Sequence, residues 1–248
     1  MSALGTGNLS GRNNQTGETV IPLPELTEAV FLERKNRFAG LVEVAGRPYY
    51  AHVPSSGRMR ELLFPGNPVY ITPMPPGKRT QYRIHLARCG ETLVSVDSLL
   101  PNRLMYKVLA GGVMEEFAGY EEIKKEVAYG QSRFDLYLRG NPGRCLIEIK
   151  SVTLVEDGTA KFPDAPSQRG AKHLLELAQA VKEDYRAAVI FVVQRDDARI
   201  FSPNLAADPH FTRCLHQAVS QGVEVYALYS EVTTNIVRLK GHLSIQLG

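Results

Sequence analysis

The spacing of apolar and polar positions changes character near residue 100. Before it, apolar runs are short and punctuated. Stretches 28–34, 39–44, 49–53, 68–73, 82–88 and 92–96 have strand length and β-branched or aromatic content. Between them stand Ala45-Gly46-Arg47-Pro48, Pro65-Gly66-Asn67-Pro68 and Pro75-Pro76-Gly77, which is turn chemistry. Five or six short strands in this space predict a small OB-type barrel over 19–100.

After residue 120 the runs lengthen. Residues 133–150 alternate on both sides of Asn141-Pro142-Gly143, the pattern of a β-hairpin. Phe134, Leu136 and Leu138 share one parity with Cys145, Ile147 and Ile149 opposite. Ser167 is an N-cap for a helix running to about 184, with Ala171, Leu174, Leu175, Ala178 and Val181 as its apolar stripe. The continuous apolar run 187–193 predicts a buried parallel strand. It ends in the polar cluster 194–197, at the strand end where open α/β sheets place sites. A helix over 209–220, stopped by Gly222, and a strand over 223–229 follow. Hairpin, helix, strand, helix, strand implies a mixed sheet with flanking helices over 120–248. Residues 101–119 read as two short linker helices broken by Gly111-Gly112, and 151–164 as a loop or lid. Residues 1–18, rich in Gly, Asn, Ser and Thr, read as a disordered tail, and 232–248 as a candidate further strand without a clear place.

Charge sharpens this two-part picture. Residues 31–88 hold ten Lys/Arg against three Asp/Glu, an excess of seven, whereas sixteen basic and sixteen acidic residues cancel over 121–248. A basic first half suits a polyanion. Cys89, Cys145 and Cys214 are scattered and lack metal-ligand spacing, which fits small core residues in a reducing compartment. No apolar run reaches a membrane span and no signal peptide is visible, so a cytoplasmic location is the expectation.

The hairpin carries the chemistry. With an even loop centred between Asn141 and Pro142, paired numbers sum to 283, which sets Asp135 across from Glu148. Opposed Cβ atoms lie roughly 4.5–5.5 Å apart. Two carboxylates at that spacing repel unless something cationic sits between them. Hard oxygen ligands suit Mg²⁺ or Mn²⁺. Lys150 projects on the same side as Glu148. Two acids and a lysine around one point suit metal-assisted phosphodiester hydrolysis. The competing reading is a solvated ion-pair network in which Arg133 and Lys150 neutralise the acids.

Two basic stretches predict nucleic-acid contact. Arg34, Lys35 and Arg37 stand beside Phe38, three cations with a stacking ring. Residues 55–60, Ser-Ser-Gly-Arg-Met-Arg, pair exposed backbone N–H groups with Arg58 and Arg60, a phosphate-contacting pattern. In the helix that starts at Ser167, Arg169, Lys172 and Glu176 share a face at spacings of three and four, by itself the pattern of a solvated face.

Long stretches of the chain resemble the sugar fermentation stimulation protein A family. They are Arg34-Lys35-Asn36-Arg37-Phe38, HVPSSGRMRELLFPG at 52–66, GQSRFDLYL at 130–138, IEIKSVTL at 147–154, FPDAPSQRGAKHLLEL at 162–177 and FVVQRDD at 191–197. The match continues through 208–224 and covers nearly everything after the tail. The resemblance implies a DNA-binding protein linked to sugar metabolism, with an OB-type domain followed by a PD-(D/E)XK nuclease-like domain. It implies Asp135, Glu148 and Lys150 as the nuclease residues, the Ile149 carbonyl as a further metal ligand and Glu126 as a further candidate acid. It sets Arg169 and Lys172 where such nucleases present supporting polar residues. Ser55 stands where the family form has Asn, and Glu-Ile-Lys replaces the commoner Glu-Val-Lys. A carboxyl-terminal helix-turn-helix, also ascribed to the family, is not expected, because the residues after Gly222 read as strand.

The expectation is a nucleic-acid-binding protein, DNA before RNA, with a Mg²⁺- or Mn²⁺-dependent nuclease site. The alternatives are a non-catalytic DNA-binding regulator that retains the nuclease fold, and an RNA-processing nuclease.

Overall fold

The computed structural model describes residues 19–248, so the expected disordered tail lies outside the described residues. Strands β1 (Val20–Pro22), β2 (Thr27–Asn36), β3 (Ala39–Val44), β4 (Arg47–His52), β5 (Pro68–Pro73), β6 (Tyr82–Cys89) and β7 (Thr92–Ser95) come first. Strands β2 to β7 lie where the turn chemistry predicts them. They form a sheet in the order β4-β3-β2-β5-β6-β7, and a β4–β6 pairing closes five of them into a barrel. Phe31, Val42, Ile71 and Ile84 fill its interior. This is the OB-type barrel that the sequence predicts.

The second part begins with α1 (Leu100–Ala110) and a 3-10 turn at Glu115–Phe117. These replace the expected pair of linker helices. Helix α1 is no free linker, because Leu104, Met105 and Val108 are buried in the carboxyl-terminal core. Then come β8 (Tyr120–Tyr129), β9 (Ser132–Gly140), β10 (Gly143–Val152), β11 (Val155–Glu156), β12 (Thr159–Phe162) and α2 (Gln168–Lys182). The chain ends with β13 (Tyr185–Val193), β14 (Ile200–Pro203), α3 (Pro209–Ser220), β15 (Glu224–Val232), β16 (Ile236–His242) and β17 (Ser244–Ile245). Strand β15 follows the α3 turn directly, as predicted, so no second helix completes a helix-turn-helix there.

The main sheet has the order β1-β16-β15-β13-β10-β9-β8. Its β10, β13 and β15 run parallel, flanked by antiparallel strands. The run 187–193 is buried on both faces. Val189, Phe191 and Val193 pack under α2 and α3, and Ala188, Ile190 and Val192 join the core that holds α1. This is the mixed sheet with flanking helices that the sequence predicts.

Three further sequence expectations change. Strand β1 leaves the barrel and pairs with β16 at the far edge of the main sheet, so the first described strand belongs to the second domain. The expected lid is instead part of a small sheet ordered β11-β12-β14-β17. In α2 the buried stripe runs through Ala171, Leu174, Leu177 and Ala178, with Leu175 facing out.

The domains meet tightly. Tyr70 and Leu86 of the barrel enter the core cluster that holds α1. The Ser95 amide donates to the Gln194 carbonyl (3.1 Å). The Gln194 side-chain amide donates to Ser151 Oγ (2.8 Å) and the Asp97 carbonyl (3.2 Å). The polar cluster predicted at 194–197 thus ties the domains together. Cys145 and Cys214 are buried and all three cysteines are free. No helix among the described residues is long and apolar enough to cross a membrane.

Candidate active site

Strands β9 and β10 pair in the predicted register, with Leu138 across from Cys145 and Leu136 across from Ile147. The ladder stops one pair short of Asp135 and Glu148. The Asp135 carboxylate takes over where the ladder ends. Its Oδ2 accepts from the Ile149 amide (2.7 Å) and its Oδ1 from Asn102 Nδ2 of α1 (2.6 Å). Here β9 stays paired with β8, with Phe134 across from Val127, but Phe134 joins a different core from Leu136. Leu136 and Leu138 join the core of α1, whereas Phe134 packs against His173 of α2, with ring centroids 5.5 Å apart. The expected common parity of Phe134 with Leu136 therefore fails at the point where the site is made.

Glu148 is 4% exposed. Its Oε1 accepts from Lys150 Nζ (2.6 Å) and His173 Nδ1 (2.5 Å). His173 Nε2 in turn accepts from Arg169 Nε (3.3 Å). One ring nitrogen donating and the other accepting is the Nδ1–H tautomer. Glu148 Oε2 is buried and has no hydrogen-bond partner among the described residues. The Lys150 side chain is itself only 12% exposed. The acids do not form the solvated network with Arg133, which is exposed and makes no ion pair with either.

Burial first, and the nearby Glu148 charge second, push the Asp135 carboxyl up to about 6. The Ile149 amide, Lys150 and Asn102 offset only part of this. Burial acts in the same sense on Glu148, but the His173 and Lys150 hydrogen bonds outweigh it and hold that carboxyl below its usual range. The two acids are thus driven apart in proton affinity.

This donor set fits a divalent cation. A buried carboxylate oxygen without a partner costs free energy, and a hard cation would satisfy it. Among the described residues no three His, Cys, Asp or Glu side chains form a group placed to hold a metal ion. An ion here would take two carboxylates, with backbone carbonyl and water completing its shell, an arrangement usual for Mg²⁺. Glu126, exposed on β8 at φ 55°, makes no hydrogen bond or ion pair to either acid.

Beside the acids, and reached by Lys150 but by neither carboxylate, lies a cleft of about 920 Å³ between the domains. Ile149 and Lys150 line one wall; Arg34, Arg37, Arg58 and Arg60 line the other. Lys150, Arg34, Arg37, Arg58 and Arg60, five of the predicted residues on two domains, thus share one space with Ile149, whereas Asp135 and Glu148 do not line it. Lys35 and Phe38 lie outside it. Lys35 pairs with Glu33 (2.5 Å), and Phe38 is 52% exposed on the barrel. Arg34 is not a free cation. It donates to the carbonyls of Asn36 (2.8 Å), Arg37 (2.5 Å), Gly57 (3.1 Å) and Ser55 (3.2 Å), which braces the 55–60 loop. Ser55 Oγ accepts from the Gly57 amide (3.1 Å), a turn-forming role open to Asn as well. Arg169 and Lys172 line a second depression of about 400 Å³, with Arg133 and His173.

Sequence reasoning missed His173 and Asn102. His173 precedes the stripe residue Leu174, and a polar group so nearly buried must have a partner. Asn102 had no signal in the sequence.

Residues 99–235 match the family model described as the sugar fermentation stimulation protein RE domain, and 32–96 the one described as the SfsA N-terminal OB domain. A sugar fermentation stimulation protein homolog from Desulforamulus reducens is 65% identical over 239 residues, covering 96% of this chain and all of that one. This chain belongs to the sugar fermentation stimulation protein family. Another homolog in the family, from Symbiobacterium thermophilum, is 46% identical over 92% of this chain and 98% of its own. The solved SfsA of Pyrococcus furiosus, described in complex with Ca²⁺, superposes with a TM-score of 0.85 at 30% identity. That superposition covers 91% of this chain and 98% of the other.

Proposed function

We propose that the protein is a cytoplasmic, divalent-metal-dependent nuclease that acts on nucleic acid, DNA in preference to RNA. The observation that carries this reading is the buried, unpartnered Glu148 Oε2 beside the raised Asp135 carboxyl. Asp135, Glu148 and the Ile149 carbonyl would hold Mg²⁺ or Mn²⁺. The ion, when bound, lowers the pKa of a coordinated water and stabilises charge on the phosphate. Asn102 and the Ile149 amide orient Asp135, and His173 orients Glu148. Lys150 sits on Glu148 and lines the cleft, where it can position the attacking water or neutralise charge on the phosphate. Arg37, Arg58 and Arg60 would hold the strand across the cleft from Lys150. Arg169 and Lys172 would meet it in the second depression. Exposed Phe38 suits base stacking, and Lys35 beside it adds charge. The Ca²⁺ described for the Pyrococcus furiosus relative supports a hard-cation site in this fold.

The test is cleavage of labelled single-stranded DNA, double-stranded DNA and RNA in Mg²⁺, Mn²⁺ or EDTA, for wild type and Asp135→Ala. Metal-dependent cleavage lost in the variant is the expected result. Salt-sensitive binding without cleavage in any metal would reject catalysis and favour the DNA-binding regulator.

A further inference from the structure

The 55–60 loop holds an anion from its own chain. Asp164, on the segment between β12 and α2, accepts at Oδ2 from the amides of Arg58 (2.7 Å) and Met59 (3.1 Å). Two successive backbone N–H groups on one oxygen make an anion nest. Met59 has φ 46°, the left-handed turn that aims both amides inward. Gly57 keeps the cradle open, since a Cβ there would lie 3.1 Å from Asp164 Oδ2. Arg34 braces the loop, and its Nη1 is buried with no partner among the described residues. The nest lines the same cleft as Lys150.

A carboxylate in such a nest does what one edge of a phosphate would do. We infer that the Arg58–Met59 nest with Arg34 is a phosphate site, and that Asp164 is an internal stand-in which a strand phosphate displaces. This rests on the reading of the cleft as a nucleic-acid site, and it adds an exchange: the segment that leads into α2 lets go of the barrel loop as the strand enters. The step is an exchange of hydrogen-bond acceptors, with no covalent change.

The first probe is inorganic phosphate, followed through the backbone amide resonances of Arg58 and Met59. Wild type should respond weakly. Asp164→Asn, which keeps an acceptor but removes the competing charge, should bind phosphate roughly tenfold more tightly, as expected when a charge-assisted pair is lost from the competitor. Gly57→Ala narrows the cradle without touching any charge, and in that background the Asp164→Asn gain should vanish. The second probe is a DNA duplex in EDTA. Its affinity should rise in Asp164→Asn, and the dependence of log K on log salt should steepen by about 0.9, one further phosphate contact. A gain that persists with Gly57→Ala would mean general charge repulsion and would overturn the site. So would unmoved amides at 58 and 59 in a folded Asp164→Asn protein. Should that variant not fold, wild type carried to saturating phosphate decides by the same two resonances. Neither probe requires cleavage, so an absence of nuclease activity leaves the result intact, and a nest that ignores phosphate leaves the metal site untouched.

Discussion

Asp135 should cost the metal-free protein stability, and Asp135→Asn should recover it. Burial and the Glu148 charge raise its carboxyl from the ordinary 3.8 to about 6. A carboxyl raised on folding contributes its stability below the unfolded value, and that contribution is lost as pH rises through the folded one. The difference of about two pH units corresponds to roughly 3 kcal/mol, largest above about pH 7. The asparagine removes that cost but leaves one of the two donors, the Ile149 amide or Asn102 Nδ2, facing an NH₂ group, a loss of about 1–1.5 kcal/mol. The net gain at about pH 8 is then roughly 1–2 kcal/mol, or about 2–8 °C in Tm for a chain of this size. Thermal unfolding followed by circular dichroism in EDTA reads this directly. The variant's advantage should shrink as pH falls from about 7 through about 4, and be gone below the ordinary 3.8, where Asp135 is protonated in both states. Adding Mg²⁺ at about pH 8 should raise the wild-type Tm and leave the variant unmoved. A variant less stable than wild type at about pH 8 in EDTA, or a gap indifferent to pH, would refute the electrostatic account of the site.

His173→Ala removes a charge-assisted bond to a buried carboxylate and leaves a cavity, so urea denaturation should register a loss of about 2–4 kcal/mol, with His173→Gln milder. On the proposed mechanism, in which its ammonium acts where charge develops, Lys150→Met should lower metal-dependent cleavage about a hundredfold while duplex affinity in EDTA stays within about twofold. Gly140→Ala should destabilise by about 3 kcal/mol or more in the same denaturation assay, since its Cβ would lie 2.2 Å from the Gly119 carbonyl oxygen and backbone cannot give way as a side chain can.

What was legible in the sequence was local. Period-two alternation and turn residues located the barrel strands, because each signal lies within a few positions of the element it specifies. The hairpin register was legible for the same reason: turn length and parity determine it, and Cys145 pairs with Leu138 as the numbers require. Asp135, Glu148 and Lys150 followed from that register. Only the tertiary structure decided what depends on distant partners. The ladder ends before Asp135 because Asn102, 33 residues upstream, and the Ile149 amide capture its carboxylate. His173 reads as one more residue beside an apolar stripe until α2 crosses Glu148 and turns it into a positioning group. Strand β1 could not be assigned to the second domain, since its three residues gain their meaning from β16, more than two hundred positions away. The cleft itself has no sequence signature. Its walls come from two domains, and Asp164 meets the Arg58 amide across 106 residues, a contact that no spacing rule along the chain can encode.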